Sequence, residues 1–197
     1  MMHTDLILAS ASPRRKTLLE QIGYTFRVIP SHVEEPAYSG HHPAEYAMAL
    51  ASLKAGEISS QYPESLVVGA DTIVVVGDIV LGKPADASEA HKMLSMLSNK
   101  SHEVITAYSF QHQSLGIDNV QFVSTEVHFR LLRDEEIDAY IATGSPFDKA
   151  GSYGIQDYSS IFVDGISGCF YNVVGLPLSD FDSKLQHLLR DNSLLLK

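Results

Sequence analysis

The chain has one cysteine, Cys169, so no internal disulfide can staple it and no cysteine cluster can hold a metal. Basic residues are scarce too: 14 Lys and Arg stand against 24 Asp and Glu, a formal charge of -10. That balance excludes broad attraction to a nucleic-acid polymer or an anionic membrane, and any anionic ligand has to be held by a local cationic patch. No apolar run is long enough to span a bilayer and no basic leader precedes a processed apolar segment, so the expected location is cytoplasmic. Neither repeats nor a low-complexity linker divide the sequence. What is present suffices for a core: 197 residues, 45% of them hydrophobic, allow one compact domain or two tightly joined lobes.

A local cationic patch lies at the start. Leu6 to Leu8 read as a short buried strand, Ser12 suits the cap of a helix and Pro13 its first position, and Arg14, Arg15 and Lys16 follow at once. A phosphate placed there meets unpaired N–H groups, the positive end of a helix and three cations. The competing reading is an ordinary capped helix with solvated basic residues.

Downstream, elements of both periods alternate. A strand is expected at Phe26 to Ile29, then a polar loop with Glu34 and Glu35. A helix begins near Pro43, with Tyr46, Ala49, Leu50, Leu53 and Ile58 at helical spacing and Lys54 toward its end. Leu66 to Ala70 read as a strand stopping abruptly at Asp71, followed by a hairpin turning at Gly77-Asp78 and a helix from about Asp86. Val104 to Phe110 and Val120 to Phe129 look like long antiparallel strands, Arg133 to Thr143 like a helix, Asn172 to Val174 like a buried strand, and Leu185, Leu188 and Leu189 mark a final helix. The pattern is α/β.

The acidic candidates complete a chemical argument. A carboxylate at the end of an apolar strand, as Asp71 is read, can orient water or hold a cation, or simply cap a turn. Glu34 and Glu35 either supply a metal ligand or keep a loop soluble. A Mg²⁺ site needs only one or two carboxylates beside substrate phosphates. Six of the nine histidines, His32, His41, His42, His91, His102 and His112, show no zinc-site spacing. Lys83, in Gly82-Lys-Pro84, is able to reach phosphate or is a plain surface lysine. In Asp148-Lys-Ala-Gly-Ser-Tyr-Gly-Ile-Gln156 the glycines allow close backbone approach, while Asp148, Lys149 and Gln156 offer an acceptor, a charge and an amide suited to a base edge.

Ala9-Ser-Ala-Ser-Pro-Arg-Arg15, Gly69-Ala-Asp-Thr72, Gly82-Lys-Pro84, Asp148 to Gln156 and Val173-Val-Gly-Leu-Pro177 occur in the order seen in the Maf family of nucleotide pyrophosphatases, which the chain resembles from about Leu6 through its last helix. The resemblance implies an elongated, two-lobed α/β fold related to inosine triphosphate pyrophosphatases, with a mixed sheet and a central cleft. It also implies a divalent cation, Mg²⁺ or Mn²⁺, a homodimer, and hydrolysis of a nucleoside triphosphate to the monophosphate and pyrophosphate. Carried over by position, Asp71 matches the catalytic acid/base, Ser10, Arg14, Arg15, Lys54 and Lys83 match phosphate-binding positions, and Glu34 matches a carboxylate associated with the cation or the catalytic water; Asp71 is the second candidate for holding the cation. Arg14, Thr72 and Gln156 match the branch acting on dTTP and UTP; the branch acting on 7-methyl-GTP differs around Asp148 and Lys149. Just after Gln156 the chain departs from the family pattern, with Asp157-Tyr-Ser-Ser160 in place of a more glycine-rich stretch. A role in septum formation as a nucleotide-responsive binding protein is the contrasting reading, and Cys169 is taken as packing.

Overall fold

A computed structural model describes residues 2–40 and 42–196; His41, weighed above as a metal ligand, lies outside the described residues. Strand β1 (Met2–Thr4) and strand β2 (Leu6–Leu8) lead into helix α1 (Pro13–Gln21), β3 (Arg27–Val28), α2 (Pro43–Gln61) and β4 (Leu66–Val76). Then come β5 (Ile79–Leu81), α3 (Ala87–Leu97), β6 (Ser101–His112), β7 (Ile117–Phe129) and α4 (Asp134–Ala142). The chain closes with β8 (Val163–Ser167), α5 (Phe170–Val174), α6 (Leu178–Asp191) and β9 (Leu194–Leu196). Seven strands make one mixed sheet in the order β3-β2-β4-β6-β7-β8, with β5 paired to β4, and β1 pairs with β9 apart from it. The expected α/β class is what the structure shows. Among the described residues no helix is long and apolar enough to cross a membrane.

The chain divides into two compact units, the first made of Met1–Asp71, Thr106–Phe122 and Gly175–Lys197, the second of Thr72–Ile105 and Val123–Val174. In the first, β2 is buried along its whole length and pairs in parallel with both β3 and β4. That placement accounts for its uninterrupted Leu-Ile-Leu, since a parallel strand covered on both faces has no solvent side. Helix α1 starts as its sequence predicts: Ser12 Oγ accepts from Arg15 N at 3.4 Å and Pro13 occupies the first turn. Helix α2 differs from expectation. Its buried face is Ala44, Ala47, Leu50, Ala51, Ala55 and Ile58, whereas Ala49 and Leu53 are exposed and Lys54 lies mid-helix. Small residues win that face because α2 lies directly on β4 at Gly69, where an added Cβ would stand 2.6 Å from Ala55 N. Tyr24, Tyr108, Phe110 and Phe181 form an aromatic cluster, and Tyr108 donates its hydroxyl to Asp180 at 2.5 Å.

In the second unit Val74, Leu81, Met93, Leu94, Val104, Val127, Phe129, Tyr140, Tyr153 and Phe162 share one core. The hairpin forms as read, with Val76 opposite Ile79 and Gly77 at φ +58°, the left-handed conformation a two-residue turn requires. Asp86 caps α3, accepting from Glu89 N at 2.8 Å. Thr125, Val127 and Phe129 are the buried members of the alternating β7 face.

Two expectations are corrected. The strand carrying Asp71 does not stop there: β4 runs unbroken for 11 residues to Val76, so Asp71 stands inside a strand. Asn172 to Val174 form a short helix rather than a strand. The buried Asn172 amide donates to Val104 O at 2.8 Å and Thr125 Oγ1 at 3.0 Å, and these tertiary bonds override the β preference of the two valines. Cys169 precedes that helix and is half-buried.

Candidate active site

The first unit gathers most of the charged candidates. The turn from β2 into α1 places Ser10 and Arg15 in the interior, 7% and 9% exposed. Arg15 Nη1 donates to Ser10 Oγ at 3.1 Å and its Nε to Gly175 O at 2.9 Å. The Val173 to Pro177 motif therefore contributes a carbonyl that fixes this guanidinium. Burial draws the Arg15 pKa down, while the negative charge of Asp71 opposes that shift. Arg14, the next cation on α1, is half-buried.

Lys54 is the hub. Its Nζ donates to Asp71 Oδ1 at 2.6 Å and stands 2.7 Å from Glu35 Oε1. The contact of Ala51 and Ala55 with Gly69 explains why this lysine, between them on α2, reaches a carboxylate two residues further along β4. Burial is the main cause that raises the Asp71 carboxyl above its ordinary range, and Glu35 adds to it; Lys54 and Arg15 pull the other way. The outcome is a carboxylate held in place by a cation yet more basic than one in water, which suits a proton acceptor.

Glu35 is positioned by residues that carry no part in the site on sequence alone. Tyr46, taken as a core helix residue, donates its hydroxyl to Pro36 O at 2.9 Å, and Glu57 accepts from Ser31 Oγ at 2.6 Å and His32 N at 2.8 Å. Both lie on α2 and tie down the loop that carries the paired glutamates. Helical spacing placed Tyr46 on the helix that bears Lys54, but nothing in it told which side met a loop. Glu34 is exposed, and it is Glu35 that the fold brings to Lys54.

Asp71 and Glu35 are an oxygen-only pair already gathered around one positive charge, a donor set that fits a hard divalent cation sharing substrate oxygens. Among the described residues no three His, Cys, Asp or Glu side chains come together as a metal cluster.

The second unit holds the remaining candidates. Thr72 is half-buried on β4, and Lys83 is exposed in the turn after β5. Gly151 N donates to Gly82 O at 3.0 Å, joining that turn to the Asp148 to Gln156 loop. The loop lies on Val74, since a Cβ at Gly151 would come 3.0 Å from its methyls. Gln156 is exposed, whereas Lys149, its side chain only 11% exposed, is engaged by Asp148 at 2.6 Å and Asp157 at 3.2 Å.

A mixed α/β sheet that sets a cation-paired, buried carboxylate beside a serine-capped cationic helix start defines a protein built to hold and act on a phosphorylated ligand. The chain belongs to the Maf family: the profile of the Maf-like proteins matches residues 5–188. It is 47% identical over 186 residues to a dTTP/UTP pyrophosphatase of Ruminiclostridium cellulolyticum, covering 93% of this chain and 96% of that one. It is 48% identical over 188 residues to a dTTP/UTP pyrophosphatase of Bacillus cytotoxicus, covering 92% and 97%. A solved nucleoside-triphosphatase / dITP/XTP pyrophosphatase of Mycobacterium abscessus covers 64% of this chain at 13% identity and a TM-score of 0.42, too slight a likeness to add to the strand order.

Proposed function

We propose that this protein hydrolyses dTTP and UTP to the nucleoside monophosphate and pyrophosphate. The observation that carries the chemistry is Asp71, a buried carboxylate made more basic by its surroundings and held by Lys54. Asp71 accepts a proton from water as that water's oxygen bonds to the α-phosphorus; the bond from the α-phosphorus to the bridging oxygen breaks and pyrophosphate leaves with that electron pair. Arg14, Arg15, Lys54 and Lys83 offset the charge of the triphosphate, and Ser10 keeps the Arg15 guanidinium in register. Thr72 and Gln156 read the pyrimidine, Gln156 through an amide that matches the mixed donor and acceptor edge of thymine and uracil. Asp71 and the glutamates of the Glu34-Glu35 loop would hold a divalent cation, Mg²⁺ or Mn²⁺, which would supply further neutralisation of the phosphates. The names of the relatives support the substrate pair. The homodimer implied by the resemblance is part of the same proposal, and sedimentation reads it directly.

Phosphorus NMR of products across a panel of dTTP, UTP, CTP, purine triphosphates and 7-methyl-GTP, with and without Mg²⁺ or Mn²⁺, tests the proposal. Monophosphate and pyrophosphate in equal amounts are expected, with dTTP and UTP turned over fastest. Diphosphate plus orthophosphate would reject the bond assignment, preferred turnover of 7-methyl-GTP the substrate assignment, and intact triphosphate the enzyme itself.

A further inference from the structure

We propose that Asp157 is a positioning residue for base selection: with Lys149 and Ser159 it locks the turn that presents Gln156, and so sets the preference for uracil over cytosine. The inference rests on the reading of Gln156 as the base-recognising residue.

Gln156 stands exposed on a turn running from Gly154 to Asp157, whose ends meet where Asp157 N donates to Gly154 O at 3.4 Å. Asp157 closes this turn with both carboxylate oxygens. Its Oδ1 accepts from Ser159 N at 3.0 Å and contacts the Ser159 hydroxyl. That hydroxyl in turn accepts from Gly154 N at 2.9 Å and touches the buried Tyr140 hydroxyl at 3.1 Å. On the other side, Asp157 Oδ2 takes the Lys149 ammonium at 3.2 Å and the Ser145 hydroxyl at 3.3 Å. The Lys149 stem lies flat on Gly154, where an added Cβ would come 2.8 Å from Lys149 Cε and 3.0 Å from Asp157 Oδ2. Both turn ends are thus gripped by groups that converge on one carboxylate, and the buried Ile155 pins the turn from below.

An amide distinguishes a carbonyl from an amino group only while its orientation is fixed, because a freely turning amide presents either end. A locked turn narrows the directions from which the Gln156 amide can meet the base edge, and unlocking it widens them so that cytosine is met as well as uracil.

The test is a double-mutant cycle on the ratio of kcat/KM for UTP to that for CTP, in wild type, Gln156→Ala, Asp157→Ala and the double variant. Asp157→Ala is expected to lower the ratio about three- to tenfold, toward the lower end of what coupled neighbours show, mainly through KM. In the Gln156→Ala background the same change is expected to leave the ratio where Gln156→Ala put it. A general loss of structure would lower both rates together and leave the ratio alone. Should Asp157→Ala not fold, Ser159→Ala completes the same cycle by removing the hydroxyl that joins Asp157 to Gly154. A Gln156→Ala effect accompanied by a wild-type ratio in Asp157→Ala, or by an Asp157→Ala effect that simply adds to it, overturns this inference alone. A wild type without uracil preference, or a silent Gln156→Ala, overturns the reading beneath it as well.

Discussion

Gly69→Ala tests the packing that makes the site. Gly69 lies two residues before Asp71 on β4, and an added Cβ would stand 2.6 Å from Ala55 N and 2.9 Å from Ala55 Cβ, with the Ala51 carbonyl nearer still. Carbon atoms prefer about 3.5 to 4.0 Å, so α2 has to move off the strand by at least about half an ångström. The obstructing atoms are mostly backbone, and no side-chain rotation relieves them. Overpacking of this kind costs about 1 to 3 kcal/mol. At about 2 to 4 °C per kcal/mol for a chain of this size, Tm falls by roughly 2 to 12 °C. The functional effect follows from the same displacement. Lys54 is carried on the moving helix and Asp71 on the strand, and their 2.6 Å contact has no slack. A misplacement near 1 Å costs up to about 10²-fold in rate, so kcat/KM for UTP is expected to fall well beyond what the lost stability explains at 25 °C. Differential scanning calorimetry and steady-state kinetics on the same preparation read both effects. Gly165→Ala is the control, because its added Cβ would meet nothing within 4 Å. A Gly69→Ala protein with unchanged Tm and unchanged kcat/KM would refute the argument that this glycine seats Lys54.

Asp71→Asn is expected to lower kcat by about 10²- to 10⁴-fold with a cooperative melt retained, since the amide keeps the shape but is no useful base; near-normal turnover at saturating cation and substrate would remove Asp71 from its role. Lys54→Met takes away a cation that holds the Asp71 pKa down, so the acid limb of kcat/KM is expected to move to higher pH, and a limb that stays in place would show that Lys54 does not act through Asp71. Burial lowers the His102 pKa from 6.5 to about 4, with His128 adding to the shift. Its stability contribution is therefore complete above pH 6.5 and lost as pH falls through 4, up to about 3 kcal/mol in all. Urea denaturation of His102→Gln is expected to show a shallower fall between those pH values than wild type, and parallel curves would deny His102 this part in acid unfolding.

Much of the fold was legible because local signals agreed with tertiary demands. Ser12 and Asp86 cap helices where their spacing said they would, and Gly77-Asp78 turns a hairpin. Legibility failed where packing chose against residue size. Alanines hold the buried face of α2 although Leu53 looks the better core residue, because only small side chains fit a helix pressed onto Gly69. Asn172 folds two valines into a helical turn by bonding to groups 68 and 47 residues away, which no local window contains. The short pairing of β1 with β9 joins the two ends of the chain and is equally invisible to periodicity.

The site shows the same division. Residue types were readable, since Asp71, Lys54 and Arg15 are the groups that phosphate chemistry asks for, but their relations were not. Asp71 in a strand read as ending there needs no special surroundings, because water would solvate it. Asp71 inside an unbroken, buried β4 is another matter: an ionised carboxylate there is costly unless cations answer it. Lys54 at 2.6 Å and the charge of the buried Arg15 supply that answer, yet leave the carboxyl above its ordinary pKa. The incomplete compensation is what makes the group useful. Full compensation would give a stable ion pair and a weak base, while none would leave a protonated acid unable to accept a proton at neutral pH. The buried position that makes the charge costly is thus the position that suits Asp71 to accept a proton, and α2, seated on Gly69, holds Lys54 against it.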